Sequence, residues 1–334
     1  MLISASYRTD IPAFYGEWFA NRLRAGYCRV VNPWGGAPSR VSLLPEHVDG
    51  FVFWTKNLGP FLPRLGEVRE RGFPFVVQFT INGYPRSLEY AVVDADKSVE
   101  HARRIADEYG PRVVVWRYDT IVFWSQTPVF WSRTPVFRPQ TPVFSSATPR
   151  DFHLRNFERL AAALAGVTDE VVISFAQIYR KSRTNMDAAA ALFDFTWEDP
   201  SDAVKMPLAR ELAACARAYG MQLTVCSQAR FLEPGIEPAR CIDAARMSEV
   251  ARRAVRARVK GNRPDCACHE SRDIGEYDTC PHGCVYCYAV RTRALARRRF
   301  RDHDPAGEFL YGPQAPQSTR SSTIFSWKAP SGDS

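Results

Sequence analysis

The sequence lacks any apolar run long enough to span a membrane. Its longest apolar runs, such as Val113–Trp116 and Val171–Ile173, are the length of strands, whereas a membrane-spanning helix needs about 20 apolar residues. A basic N-terminal region followed by an apolar stretch, the signature of a secretory leader, is also missing. We therefore expect a cytoplasmic protein with no membrane partner.

The cysteines lack the even number and regular spacing of a disulfide framework. The 334 residues include nine cysteines, and a reducing cytoplasm disfavours disulfides. Four of them are scattered, while the other five fall within residues 266–287. Tight clustering in a reducing compartment is typical of metal binding. The clustered residues are Cys266, Cys268, Cys280, Cys284 and Cys287.

Acidic residues are too few to balance the basic ones, and the formal net charge is +8. The basic excess lies mainly in residues 252–260 and 291–301, on either side of the cysteine cluster. Such runs attract phosphate groups, which makes nucleic acid one candidate partner. The alternative is a solvated helix face beside a domain edge.

Apolar strand-like runs alternate with helical patterns over most of the chain. The strands read as apolar throughout, which is typical of a parallel sheet buried on both faces. This alternation predicts an α/β protein with a (β/α) barrel, complete, partial or circularly permuted, followed by a cysteine-rich metal-binding loop. The predicted strands are Leu2–Tyr7, Tyr27–Asn32, Gly50–Thr55, Phe73–Thr80, Arg112–Tyr118, Glu170–Phe175 and Met221–Cys226. The predicted helices are Leu58–Arg71, Ala95–Tyr109, Pro149–Ala165 and Lys205–Tyr219.

Three segments follow from these patterns. The barrel-like domain covers residues 1–245, with an insertion at about 125–148 where Thr-Pro-Val-Phe repeats every seven residues. Because proline cannot continue a sheet, we expect the repeat to be an extended or disordered loop. Residues 246–304 are predicted to form a basic, cysteine-rich segment that binds a metal cluster. Residues 305–334 are predicted to be a disordered tail.

Polar residues follow nearly every predicted strand, and the carboxyl ends of barrel strands form the active face. We therefore expect a substrate pocket there, in which arginine and lysine hold carboxylate or phosphate. The alternative is a set of internal ion pairs. The candidate catalytic residues are Arg8, Asp10, Lys56, Asn57, Arg117 and Asp119. The candidate cofactor-binding residues are Thr55, Gln78, Ser174 and Gln177.

The motif Cys280-x3-Cys284-x2-Cys287 is the strongest functional signal. Its short spacings let the loop direct three sulfurs to one centre, and Gly283 permits a tight turn. Thiolates select iron–sulfur clusters, zinc or copper(I). A four-iron cubane held by three cysteines leaves one iron open to a small chelating ligand.

Cys266 and Cys268 have three alternative roles. They could form a zinc site with the last two cysteines of the motif. They could also supply a fourth ligand to the cubane, which would make it a structural cluster or an electron carrier. Finally, they could hold a second metal together with Cys226 or Cys241.

The motif, with Tyr286 before its last cysteine, resembles the cluster loop of radical S-adenosylmethionine (SAM) enzymes. Its Tyr-Cys-Tyr-Ala ending is similar to spore photoproduct lyase relatives. The resemblance implies a 4Fe-4S cluster on three cysteines, SAM on the fourth iron, an electron donor and a full or partial (β/α) barrel. In that family the loop usually follows the first strand, whereas here it follows seven predicted strands. A permuted barrel, or docking of the loop from the C-terminal end, would reconcile the two.

Residues 1–312 also resemble a bacterial family, the domain of unknown function numbered 1848. The resemblance rests on Ser6–Pro12, Phe53–Asn57, Trp116–Asp119 and the segment Cys266–Ala289. It implies the fold and the cysteine site but no activity. We expect a radical SAM-type enzyme with a small or nucleotide-like substrate. The alternatives are a non-catalytic nucleic-acid-binding protein stabilised by zinc or a cluster, and an iron–sulfur redox protein.

Overall fold

The computed structural model describes residues 1–32, 35, 37–126 and 148–312. Within them, eight strands form one parallel sheet, and two antiparallel strand pairs stand outside it. In chain order the strands are β1 (Leu2–Ala5), β2 (Tyr27–Val30), β3 (Ser39–Ser42), β4 (Gly50–Thr55), β5 (Phe75–Thr80), β6 (Val114–Ile121), β7 (Phe123–Gln126), β8 (Glu170–Phe175), β9 (Phe195–Glu198), β10 (Gln222–Val225), β11 (Glu237–Pro238) and β12 (Ser271–Asp273).

The helices connect successive strands of the large sheet or pack beside its ends. None of the described helices is long and apolar enough to cross a membrane. In chain order they are α1 (Ile11–Phe14), α2 (Gly16–Ala25), α3 (Leu62–Glu70), α4 (Ala95–Tyr109), α5 (Pro149–Leu164), α6 (Arg180–Phe193), α7 (Asp202–Ala218), α8 (Ala244–Ala251) and α9 (Arg293–Arg301).

The large sheet runs in the order β12-β1-β4-β5-β6-β8-β10-β11. From β1 onward the strands follow chain order, and the last strand, β12, returns to pair with the first. In the described part of the chain no strand pairing joins the two edges, β12 and β11. In the described residues the parallel sheet is therefore open, with β12 and β11 as its two edges, and closure into a barrel is not shown.

Six of the seven predicted strands lie in this sheet. The exception is the predicted strand Tyr27–Asn32, which we expected in the large parallel sheet. Its residues form β2, which pairs antiparallel with β3 outside that sheet. The four predicted helices correspond to α3, α4, α5 and α7. The strand β12 and the helices α2, α6, α8 and α9 were not predicted.

Both faces of the sheet are buried, which explains the apolar strands. One face packs against the connecting helices, where Trp116 and Ile173 meet Phe157 and Leu212. The other face is covered by the segment 239–268, including α8. The strand residues buried on that second face are Leu2, Val52, Val76, Val115 and Val172.

Two predicted segments lie partly or wholly outside the described residues. The repeat at 127–147 is outside them, as is the predicted tail from residue 313. The prediction of a disordered tail is wrong for residues 305–312, which pack against α2. Trp18 Nε1 donates to the carbonyl of Gly307 at 3.0 Å, and Asn21 Nδ2 donates to that of Pro305 at 3.0 Å.

Asp273 joins β12 to β1 through a dense set of hydrogen bonds. Its carboxylate accepts Ser4 Oγ and Ser6 Oγ, each at 2.7 Å, and Arg8 Nε at 2.8 Å. It also accepts the backbone N–H of Gly275 at 3.0 Å. A Cβ at Gly275 would lie 2.1 Å from Ser6 Oγ, so only glycine fits this close approach. The contacts position the chain that leads from β12 to the cysteine motif.

We expect Asp273→Asn to lower the free energy of unfolding by about 3 kcal/mol, because it leaves the Arg8 guanidinium buried without its counter-charge. Denaturant unfolding measures the loss. Asp107→Asn, on the exposed face of α4, is the matched control and should change little. Equal effects of the two substitutions would contradict the role of Asp273.

His153 is buried and neutral, and this makes stability depend on pH. Tyr118 Oη lies 2.9 Å from its Nδ1, and its Nε2 lies 2.9 Å from the carbonyl of Val122. Burial lowers the pKa of His153 to about 4, below its value of about 6.5 in the unfolded chain. Between these values only the unfolded chain binds the proton, so the contribution to stability is complete above pH 6.5 and is lost as the pH falls towards 4.

We therefore expect the native protein to lose roughly 3 kcal/mol more than His153→Gln between pH 7 and pH 4. Glutamine keeps a donor and an acceptor but does not titrate. Urea unfolding at several pH values measures the difference. Parallel pH profiles for the two proteins would show that His153 does not titrate as described.

Candidate metal and strand-end site

The cysteine motif follows β12 and leads into α9. Cys280, Cys284 and Cys287 line a single cavity of about 230 Å³, whose opposite wall includes residues of α6. Burial raises the pKa of all three thiols. For Cys280, the charges of Asp10 and of the other two sulfurs raise it further. The three sulfurs are therefore close enough to influence one another.

The motif is not a ready-made metal site. Among the residues that the structure describes, no group of three or more His, Cys, Asp or Glu side chains is arranged so that it could hold a metal ion. All nine cysteines are free. What fits an iron–sulfur cluster is the donor chemistry: three soft sulfurs beside a cavity. The N–H of Ala289 also donates to Cys287 Sγ at 3.3 Å, a bond that favours the thiolate.

A buried ion pair lies beside the motif. Lys56 Nζ donates to Glu89 Oε1 at 2.8 Å and to Tyr286 Oη at 3.2 Å. Asn82 Nδ2 donates to the same carboxylate at 3.0 Å, and Tyr286 Oη donates to it as well. Burial opposes charge on both partners, yet Glu89 raises the pKa of Lys56 and Lys56 lowers the pKa of Glu89. Both groups therefore stay ionised.

The ammonium group of Lys56 also acts on the motif. Burial raises the pKa of Cys284, and the charge of Lys56 partly offsets that rise. The charge of Lys56 therefore favours the thiolate form of Cys284.

Asp10 connects the loop after β1 to the motif. Its Oδ1 accepts the N–H of Ala13 and caps α1. Its Oδ2 accepts the N–H of Lys56 at 2.7 Å and lies 2.8 Å from His282 Nε2. Because His282 lies inside the motif, this contact joins the loop after β1 to the motif.

Arg117 and Asp119, both near the carboxyl end of β6, form an internal ion pair, the alternative that the sequence left open, with 2.7 Å between Nη2 and Oδ2. Ser174 donates to the other oxygen of Asp119. Gln78 Oε1 accepts a hydrogen bond from Arg117 Nη1 at 3.2 Å, and Gln78 Nε2 donates to the carbonyl of Cys241 at 2.9 Å. The ends of β5, β6 and β8 therefore share one polar network.

The side chains of Arg8 and Asn57 have partners other than Asp10 and Lys56. Arg8 binds Asp273, as described above. Asn57 Oδ1 accepts the N–H of Gly59 at 3.1 Å. Thr55 Oγ1 accepts the N–H of Asn57 at 2.9 Å, so both side chains shape the turn after β4.

The remaining candidates have local partners. Gln177 Oε1 accepts Tyr179 Oη at 2.6 Å. Several cations of the two basic runs are in ion pairs, and a nucleic-acid partner stays a prediction. These pairs are Arg253–Asp49, Arg258–Glu270, Lys260–Glu270 and Arg291–Asp278.

The five clustered cysteines separate into two groups. Cys266 and Cys268 lie away from the motif, with Cys226 and Cys241. Cys226 Sγ is 3.6 Å from Cys241 Sγ. A hydrogen bond from Cys268 lowers the pKa of Cys266 to about 5, although burial opposes this.

Sequence reasoning missed Glu89 and gave no role in the site to Asp273, Asn82 or Tyr286. It examined the positions directly after each strand, whereas Glu89 lies nine residues beyond β5. A carboxylate between two large apolar residues, Leu88 and Tyr90, is the signal that could have drawn attention to it.

A model of the family described as Domain of unknown function (DUF1848) matches residues 2–289, from β1 to the end of the cysteine motif. No curated protein matches the chain.

We expect Glu89→Gln to destabilise the fold by about 3 kcal/mol, because it leaves the Lys56 ammonium buried and unpaired. Adding Lys56→Met should recover part of the loss. Glu100→Gln, which breaks an exposed pair with Lys97 of 2.8 Å, is the control and should have little effect. Thermal unfolding compares the variants, and a double variant no better than Glu89→Gln would argue against a coupled pair.

Proposed function

We propose that this chain, which belongs to the DUF1848 family, is an iron–sulfur enzyme of the radical SAM type. The position of the cysteine motif in the sheet carries the proposal. In the enzymes that the motif resembles, the cysteines usually follow the first strand. Here they follow β12, and β12 precedes β1 in the order of the sheet. The motif is late in the chain yet follows the first strand in space.

This arrangement supports a circularly permuted, partial (β/α) barrel. The seven strands from β1 to β11 follow one another in chain order, as in a barrel wall. The side facing the segment 239–268 would be the interior. The polar network of Arg117, Asp119 and Ser174 lies at the carboxyl ends, where such folds bind ligands.

Under this proposal Cys280, Cys284 and Cys287 hold a 4Fe-4S cluster whose fourth iron is left for SAM. When bound, the cluster and SAM supply a carbon radical that removes a hydrogen atom from the substrate, with an external donor providing the electron. Lys56 favours the thiolate of Cys284, and the N–H of Ala289 favours that of Cys287.

The ion pairs beside the motif would orient a small or nucleotide-like substrate. Lys56 and Arg117 each keep a carboxylate partner, so an anionic substrate group would have to compete with Glu89 or Asp119. SAM contacts from Thr55, Gln78, Ser174 and Gln177 stay predictions, since each side chain is engaged in hydrogen bonds in this structure.

Anaerobic reconstitution of the full chain with iron and sulfide tests the proposal. We expect a brown protein with a reduced-cluster EPR signal that SAM changes, and release of 5′-deoxyadenosine under reducing conditions. A cluster whose spectrum ignores SAM would indicate an iron–sulfur redox protein instead. A protein that takes up no iron would overturn the proposal.

Variants locate the cluster. Cys284→Ala should abolish iron and sulfide uptake at the motif, whereas Cys28→Ala and Cys215→Ala should leave both intact, because these cysteines lie away from it. Iron analysis and EPR provide the comparison. Equal loss in all three variants would indicate general misfolding rather than loss of a ligand.

A further inference from the structure

Four cysteines from three parts of the chain lie together on the face of the sheet that the segment 239–268 covers. Cys226 directly follows β10 and Cys241 follows β11, while Cys266 and Cys268 precede β12. Cys226 Sγ lies 3.6 Å from Cys241 Sγ, and all four cysteines belong to one buried cluster, with Cys266 at its edge. Three are buried, and Cys266 is partly exposed.

Two guanidinium groups point at these sulfurs. Arg117 Nη1 lies 2.9 Å from Cys241 Sγ, and Arg263 Nη2 lies 3.3 Å from Cys226 Sγ. The N–H of Ile242 donates to Cys268 Sγ at 3.5 Å. Charged donors stabilise a thiolate far more than a thiol. The two guanidinium groups therefore place positive charge beside two of the four sulfurs.

The spacing distinguishes between three chemistries. At 3.6 Å, Cys226 and Cys241 are not bonded, since a disulfide has a length of about 2.05 Å. Sulfurs that share one zinc ion with bonds of about 2.3 Å lie roughly 3.8 Å apart, along the edge of a tetrahedron. Cubane thiolates lie farther apart, because each binds its own iron. The distance between Cys226 and Cys241 is close to that of two ligands of a single ion.

We propose that Cys226, Cys241, Cys266 and Cys268 bind one zinc ion in a tetrahedral four-thiolate centre, separate from the cysteine motif. The four sulfurs do not surround one point in this structure, in line with the absence of a ready-made site in the described residues. Rotation of the cysteine side chains would bring them around the ion. The partly exposed Cys266 would be the point of entry.

The proposed centre has a structural role that follows from its position. Cys241 lies beyond the edge strand β11, and Cys268 lies before the other edge strand, β12. In the described residues, no strand pairing joins those edges, and the backbone bond from His269 N to the carbonyl of Ile242, at 2.9 Å, lies beside the cysteines. Zinc would hold the two edges together and fasten the covering segment 239–268. A closed four-ligand site of this kind stabilises a fold and leaves no position for substrate.

Metal analysis of the full chain tests the proposal. We expect about one zinc per chain, lost in Cys226→Ser and in Cys268→Ser, and retained in the matched control Cys215→Ser. It should also remain in Cys284→Ala, which separates this centre from the cysteine motif. Iron at the four cysteines in place of zinc would overturn the proposal, as would zinc that persists in both serine variants.

Cobalt substitution avoids dependence on variants that fail to fold. The native chain, stripped by a chelator and reloaded with Co²⁺, should show the intense sulfur-to-metal charge-transfer and d–d bands of tetrahedral thiolate coordination. Hydrogen exchange in residues 239–270 should slow on loading. Absence of those bands would overturn the proposal. Bands that vanish only in Cys284→Ala would place the metal at the motif, and would count against both this centre and the iron–sulfur proposal.

Discussion

The buried carboxylate of Asp273 is the constraint on which the architecture depends. It accepts donors from Ser4, Ser6 and Arg8, which lie more than 260 positions away in sequence. Because the carboxylate is buried, its charge requires these partners. They hold a three-residue strand beside β1, and the cysteine motif continues directly from that strand. The motif is therefore late in the chain but follows a strand that pairs with β1.

The parts of the fold that were predictable have local signals. The six strands found in the sheet are apolar along their length, because they are buried on both faces, and their helices have helical periodicity. By contrast, β12 is Ser-Arg-Asp, which has no strand pattern, and it is held by pairing with β1 and by Asp273. The strand β2 was recognised but placed in the wrong sheet, because its partner depends on the chain around it.

The residues of the candidate site also differ in whether their partners lie nearby in the sequence. Arg117 and Asp119 form an internal ion pair, the alternative that the sequence left open, and they lie two positions apart on one strand. The carboxylate partners of Arg8 and Lys56, Asp273 and Glu89, were not among the candidate residues. A buried cation takes the carboxylate that the packed fold brings to it, and local spacing does not encode that choice. Cysteine spacing left three groupings open for Cys266 and Cys268, and the folded chain places them with Cys226 and Cys241.

The pairing of β12 with β1 also affects biosynthesis. Ser4 leaves the ribosome 269 residues ahead of Asp273, so during translation the β1 edge has no partner. An unpaired strand edge is a template for association with other chains, and contacts this distant in sequence form late. Until β12 emerges, the β1 edge of the nascent protein is therefore open to association with other chains.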